Sequence, residues 1–127
     1  VEIMASSDNV LRGGLTPKHV DVPELLRVLE FHAGPVEKVL PTREGPLEQW
    51  RTPAREFALS RVRVEGTSWS TAVDAPVLAL CTEGEVTARD GDSTVELSRG
   101  ASLYVPASAG RLELAGRGAA FLATVPG

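Results

Sequence analysis

Between Ser6 and Lys18 the chain places Asp8-Asn9, Arg12, the pair Gly13-Gly14 and the run Thr16-Pro17-Lys18, with no long apolar stretch between them. Glu2 stands just ahead of this group. So many hydrogen-bonding and charged groups, gathered before any core has begun, raise the question of what they bind. Plainer readings stand beside that one. Asp8 and Arg12 have the i,i+4 spacing of a helical ion pair worth a few tenths of a kcal/mol, although Gly13-Gly14 directly after them opposes a helix. Glu2 reads equally as a solvated charge on a strand face, and Lys18 after Thr-Pro reads as an exposed turn residue.

Donors for metal or covalent chemistry are sparse elsewhere. His19 and His32 do not sit at ligand spacing and read as surface or packing residues. Cys81, the single cysteine, lies in the apolar run PVLALC and reads as an ordinary buried thiol in a reducing compartment. Two distant histidines and one buried thiol do not make the three or four ligands that zinc requires, so no metal is assigned to this chain. Trp50 and Trp69 have the rings to stack on a sugar, but read first as anchors of the core or connector.

The elements that must position these residues follow from local pattern. Asp21 suits an N-cap, Pro23 falls in the first turn where a missing N–H costs least, and Glu24 complements the positive helix end. With Leu25, Leu26, Val28 and Leu29 as the apolar face, this predicts a short helix over about 22–30, ended by Gly34-Pro35. Residues 1–6 read as a strand end. Prolines 35, 41, 46 and 53 make the next stretch an extended connector containing short strands. From Phe57 to Val125 the pattern is strand and turn: strands over 57–61, 62–64, 94–97, 102–105, 112–114 and 120–125, and a continuous buried run over 77–81. Turns are expected at Glu83-Gly84, Asp90-Gly91-Asp92, Arg99-Gly100, Ala109-Gly110 and Gly116-Arg117-Gly118. Many short strands at this spacing imply a sandwich or barrel, and the closely spaced glycine turns favour a closed or nearly closed antiparallel barrel. Leu59, Val62, Val64, Leu78, Leu80, Leu97, Leu103, Val105, Leu112, Leu114 and Leu122 are candidates for its interior and packed faces.

Composition sets the limits. The 127 residues fit one ordinary domain, and 43% hydrophobic with 24% charged residues is the balance of a globular chain. A net charge of −4 with scattered basic residues argues against nucleic acid as a partner. No apolar stretch approaches 18 residues and no signal-peptide pattern is present, so no membrane anchor or export is expected and the location expected is cytoplasmic. Val1 is not an initiator methionine, and the chain is read as a fragment.

Two motifs carry a resemblance. The stretch GASLYVPASAGRLEL (100–114) has Gly100, five residues and Pro106, similar to the first half of the second cupin motif. Arg111 stands where metal-binding cupins place a histidine, and Ala115 stands where the motif ends in Asn. The resemblance implies a jelly roll without a metal inside it. More specific is VEIMASSDNVLRGGLTPKHVDVPELLRVLEF (1–31), which resembles the signature E-x-M-A-x-S-D-N-V-x-R-x-G-L-T-P-K near the end of the catalytic region in type I mannose-6-phosphate isomerases. PAREFALSRV (53–62) and GASLYVPASAG (100–110) are similar to that family's C-terminal cupin domain.

This resemblance implies a mainly β, cupin-like jelly-roll barrel preceded by a polar active-site segment and one short helix. Residues 1–21 would be the tail of the catalytic region, 22–34 the helix and linker, and 35–127 the cupin-like domain. The activity implied is a zinc-dependent aldose–ketose isomerase interconverting mannose 6-phosphate and fructose 6-phosphate through a cis-enediol. Arg12 matches the family's active-site arginine, with Glu2, Asp8, Asn9 and Lys18 as substrate-binding candidates. The family's zinc ligands, a Gln, two His and a Glu, lie upstream of the segment matching Val1, so this chain alone is expected to be inactive and to need that upstream region. The alternative is a non-catalytic cupin-like module for sugar binding or subunit contact.

Overall fold

A computed structural model of the chain describes residues 1–6, 10–91 and 93–126. It divides into two compact units, one of residues 1–5 with 39–127 and one of residues 6–38.

The smaller unit holds helix α1, Val22–Val28. The Asp21 side chain accepts a hydrogen bond from the Glu24 amide at 3.0 Å, the expected N-cap. The helix ends earlier than expected. Leu29 turns extended (φ −70°, ψ 129°), well ahead of Gly34-Pro35.

The larger unit is a single antiparallel sheet. Its strands are β1 (Thr42–Glu44), β2 (Leu47–Trp50), β3 (Ala58–Val73), β4 (Val77–Asp90), β5 (Ser93–Ser98), β6 (Ser102–Val105) and β7 (Gly110–Thr124). The order is β1-β2-β3-β7-β4-β5, with β6 pairing β4 beside β5. The sheet is therefore not closed; β1 and β5 are its ends. Residues 1–5 form no strand.

Three of the expected turns or breaks are absent because the strands run on through them. The expected strands at 57–61 and 62–64 are one strand, β3. The chain also stays in β4 through Glu83-Gly84 and in β7 through Gly116-Arg117-Gly118. Those glycines serve another purpose. A Cβ on Gly118 would overlap the Glu83 carbonyl oxygen and stand 3.0 Å from the Glu85 nitrogen, and a Cβ on Gly84 would overlap the carbonyl of Arg117. They let β4 and β7 approach where the register slips between Cys81 and Glu83. A second slip, between Glu65 and Ser68, bends β3. Asp92, expected in a turn, lies outside the described residues.

Alternation sends Val62, Val64, Val86, Leu97, Val105, Leu112, Leu114 and Leu122 into the core with Cys81. Leu59, Leu80 and Leu103 are half-buried. The run 77–81 is not buried throughout: Val77, Ala79 and Cys81 point in, while Leu78 is 57% exposed on the opposite face. Strand pairing alternates even a uniformly apolar run between two faces, and only one of them meets this core.

Candidate functional site

Arg12 lies in a segment without helix or strand and is half-buried, its guanidinium donating to the Val10 carbonyl at 3.2 Å. No helix is assigned to the described residues on either side of it. Asp8 and Asn9 themselves lie outside the described residues. Directly after Arg12 the chain bends sharply. Gly14 has φ 151° and Leu15 has φ 55°, the only non-glycine residue in the left-handed region among those described. Leu15 is fully exposed, so nothing in this unit gains from its side chain. Gly13 lies close to α1: a Cβ there would stand 3.1 Å from Leu25 Cδ2, a tight contact that the end of the leucine side chain would have to yield to. Thr16 Oγ1 then accepts from the Lys18 amide at 3.2 Å, closing a hydroxyl turn around Pro17 that leaves the Lys18 side chain exposed. Local chemistry thus presents two cations, Arg12 and Lys18, from one bent segment ahead of a capped helix. Glu2 is exposed and belongs to the other unit.

The remaining candidates serve packing or the surface. His19 is exposed, and His32 is exposed 3.6 Å from Glu30. Cys81 is fully buried, its thiol directed at the carbonyls of Glu83 and Gly84; burial pushes its pKa up, the opposite of a reactive thiolate. Trp69 packs against the core. Trp50 stacks on Phe121 at 5.8 Å between centroids, with the Arg61 guanidinium over both rings. Arg61 also pairs with Glu48, which Arg43 reaches at 2.7 Å, and these cations hold the Glu48 carboxyl below the usual range. Sequence reading passed over this cluster, since cross-strand pairing alone brings its members together.

Zinc finds no fit in this donor set. Among the described residues no three His, Cys, Asp or Glu side chains are grouped to hold a metal ion. Arg111, at the place of a cupin ligand, is exposed and donates to Ser70 Oγ at 2.9 Å. An interior of Val, Leu, Ala and a neutral thiol has no ligand to offer.

Residues 50–125 match the family model of the mannose-6-phosphate isomerase cupin domain. The chain belongs to the mannose-6-phosphate isomerase family. It is 32% identical over 120 residues to the mannose-6-phosphate isomerase of Escherichia coli, covering 93% of this chain and 31% of that protein. It is 34% identical over 118 residues to the Bos taurus isomerase, covering 85% and 28%. The crystal structure of the Salmonella typhimurium isomerase bound to substrate and zinc superposes with a TM-score of 0.84 at 30% identity, covering 96% of this chain and 32% of that one. The chain thus spans about a third of the length of these relatives and corresponds to the C-terminal portion of the isomerase, with a mainly β, cupin-like fold. No helix among the described residues is long and apolar enough to cross a membrane.

Proposed function

We propose that this chain is the C-terminal part of a zinc-dependent aldose–ketose isomerase that interconverts mannose 6-phosphate and fructose 6-phosphate. On this reading residues 1–21 are the tail of the catalytic region, 22–34 the helix and linker, and 35–127 a metal-free cupin-like support. The observation that carries it is the match over 96% of the chain to an isomerase structure that holds substrate and zinc. The zinc belongs to the upstream region, because this chain has no donor set for it among the described residues.

Isomerisation moves a proton between C1 and C2 of the open-chain sugar, and negative charge gathers on oxygen in the enediolate. Arg12 supplies a permanent cation whose planar fork suits that charge. The Gly14–Leu15 bend fixes the direction in which the chain leaves it. Lys18 contributes a second cation toward the sugar phosphate, and the family resemblance adds Glu2, Asp8 and Asn9 as substrate-binding candidates. The unpaired Cys81 thiol accords with a cytoplasmic enzyme.

The test is made in the intact isomerase carrying this segment. Arg12→Ala should lower kcat by roughly two to three orders of magnitude and change KM much less, the loss of one preorganised donor to the transition state. Arg12→Lys should recover part of the loss, and Arg111→Ala should stay within a few-fold of wild type. Full turnover in Arg12→Ala, with loss in Arg111→Ala, would move the active-site assignment into the β domain. The 127-residue chain alone should show no turnover of mannose 6-phosphate.

A further inference from the structure

Two residues far apart on β3 share one cavity. Ser60 and Thr71 stand eleven residues apart, about 36 Å along a straight strand, yet both line a space of about 230 Å³. The slip between Glu65 and Ser68 bends β3, so that both of its halves wall the same space. Register supplies more of the lining: Gln49 pairs with Ser60 and Ser60 with Leu122, while Thr71 pairs with Leu112. Leu112 and Leu122 belong to the core, so the cavity lies on the covered face of the sheet and not on the outer one.

We infer that this inner cavity is a binding site for one unphosphorylated monosaccharide or polyol, using none of the residues assigned to the isomerase reaction. Apolar walls with a few converging polar groups are the make-up of a small-molecule site. Trp69, half-buried against the core, supplies ring surface. The Thr71 hydroxyl donates to the Ala72 carbonyl at 3.2 Å and the Thr124 hydroxyl to the Pro76 carbonyl at 2.8 Å. With their protons so engaged, both oxygens remain as acceptors, and the half-buried Gln49 amide and Ser60 hydroxyl can donate as well as accept. Asp74 is exposed at the rim, and no Lys, Arg or His is among the described lining residues. A phosphate, charged and accepting only, would meet two acceptors, a carboxylate and no cation. A neutral polyol suits every group: its hydroxyls donate to the threonines and pair with the amide, while its C–H faces cover the indole. The volume falls below the roughly 300–1,000 Å³ of drug-sized sites, which limits the occupant to one small molecule.

Calorimetric titration of the intact isomerase with D-mannitol and with D-glucose tests it. At least one of the two should bind, and Gln49→Ala and Thr71→Val should each weaken that binding by about three- to tenfold, the range for one hydrogen bond. Excess mannose 6-phosphate should not displace the bound probe, and Arg12→Ala should bind it as wild type does. Gln49 is only half-buried, so its variant keeps the test open if Thr71→Val fails to fold; Trp69 is left in place because it packs against the core. Absence of binding by both probes overturns the proposal. Binding that Gln49→Ala leaves unchanged overturns it too, as does displacement by mannose 6-phosphate, which would put the probe in the catalytic region. Turnover of mannose 6-phosphate is measured on the same samples. Binding that depends on Gln49 in a protein without turnover upholds the cavity site and rejects the isomerase reading; turnover without such binding rejects the cavity site alone.

Discussion

Gly118→Ala should be among the most damaging single-methyl additions in the β domain. Gly118 pairs Val64 on one side and Gly84 on the other, in the middle of the sheet. The added Cβ would overlap the Glu83 carbonyl oxygen and lie 3.0 Å from the Glu85 nitrogen. A tolerated carbon–oxygen contact is about 3.3 Å, so β4 must withdraw from β7 by roughly 1 Å. Backbone on both sides prevents the relief that a side chain would give by rotating. Overpacking costs about 1–3 kcal/mol. Losing one or two ladder hydrogen bonds adds about 1 kcal/mol each, for a total of about 2–5 kcal/mol. A domain of this size should then melt about 8 °C or more below wild type. Urea unfolding followed by circular dichroism measures the loss, with Gly45→Ala as the control. Gly45 has φ 56° and open space around its Cβ position, so alanine there meets only the left-handed backbone penalty of about 1–2 kcal/mol. If the two variants lose equal stability, close approach of β4 and β7 is not the reason for glycine at 118.

Leu114→Ala should cost about 3–5 kcal/mol in the urea midpoint, because Leu114 has no exposure and its cavity is walled by sheet. Leu78→Ala in the 127-residue chain should cost about 0.5 kcal/mol or less, as expected for an exposed side chain. Acid should weaken the fold through Glu48: its carboxyl is held low by its hydrogen bond to Arg61, so the unfolded chain binds its proton first. Stability from this group is fully present above the free glutamate value of about 4.3 and is lost as pH falls through the lower folded value. Glu83, held low by Arg63, acts in the same direction. Glu48→Gln should therefore be weaker than wild type at pH 7 and approach it toward pH 3 in urea midpoints; a gap that stays constant with pH contradicts the pairing.

What the sequence made legible was local. Asp21, Pro23 and Glu24 announce the start of α1 by the bonds they make within one turn, and strand 102–105 lies where its pattern placed it. Glu83-Gly84 and Gly116-Arg117-Gly118 misled because glycine has two uses that look alike in a sequence. One is to turn a chain; the other is to admit a neighbouring backbone, and the second depends on a strand more than thirty residues away. The extent of burial over 77–81 was unreadable for a related reason. Periodicity tells which residues share a face, whereas exposure depends on what lies against that face. For the candidate site, resemblance supplied the roles of Arg12 and Lys18. The physics of the segment explains its bend and its helix cap, but a role toward a ligand is not written in that local chemistry.

The strand order carries a consequence for how the protein is made. β3 and β4 follow one another in the chain but do not pair; β7, the last strand, lies between them and joins both along nearly their whole length. During synthesis the two long strands β3 and β4 must wait, each with an open edge, until β7 emerges. Pairing so remote in sequence slows folding and prolongs the interval in which a nascent chain can join a neighbour instead. A stop codon ahead of Gly110 would thus remove the centre of the sheet. Deleting β7 should yield aggregate, whereas deleting β1 and β2 would take away only an edge.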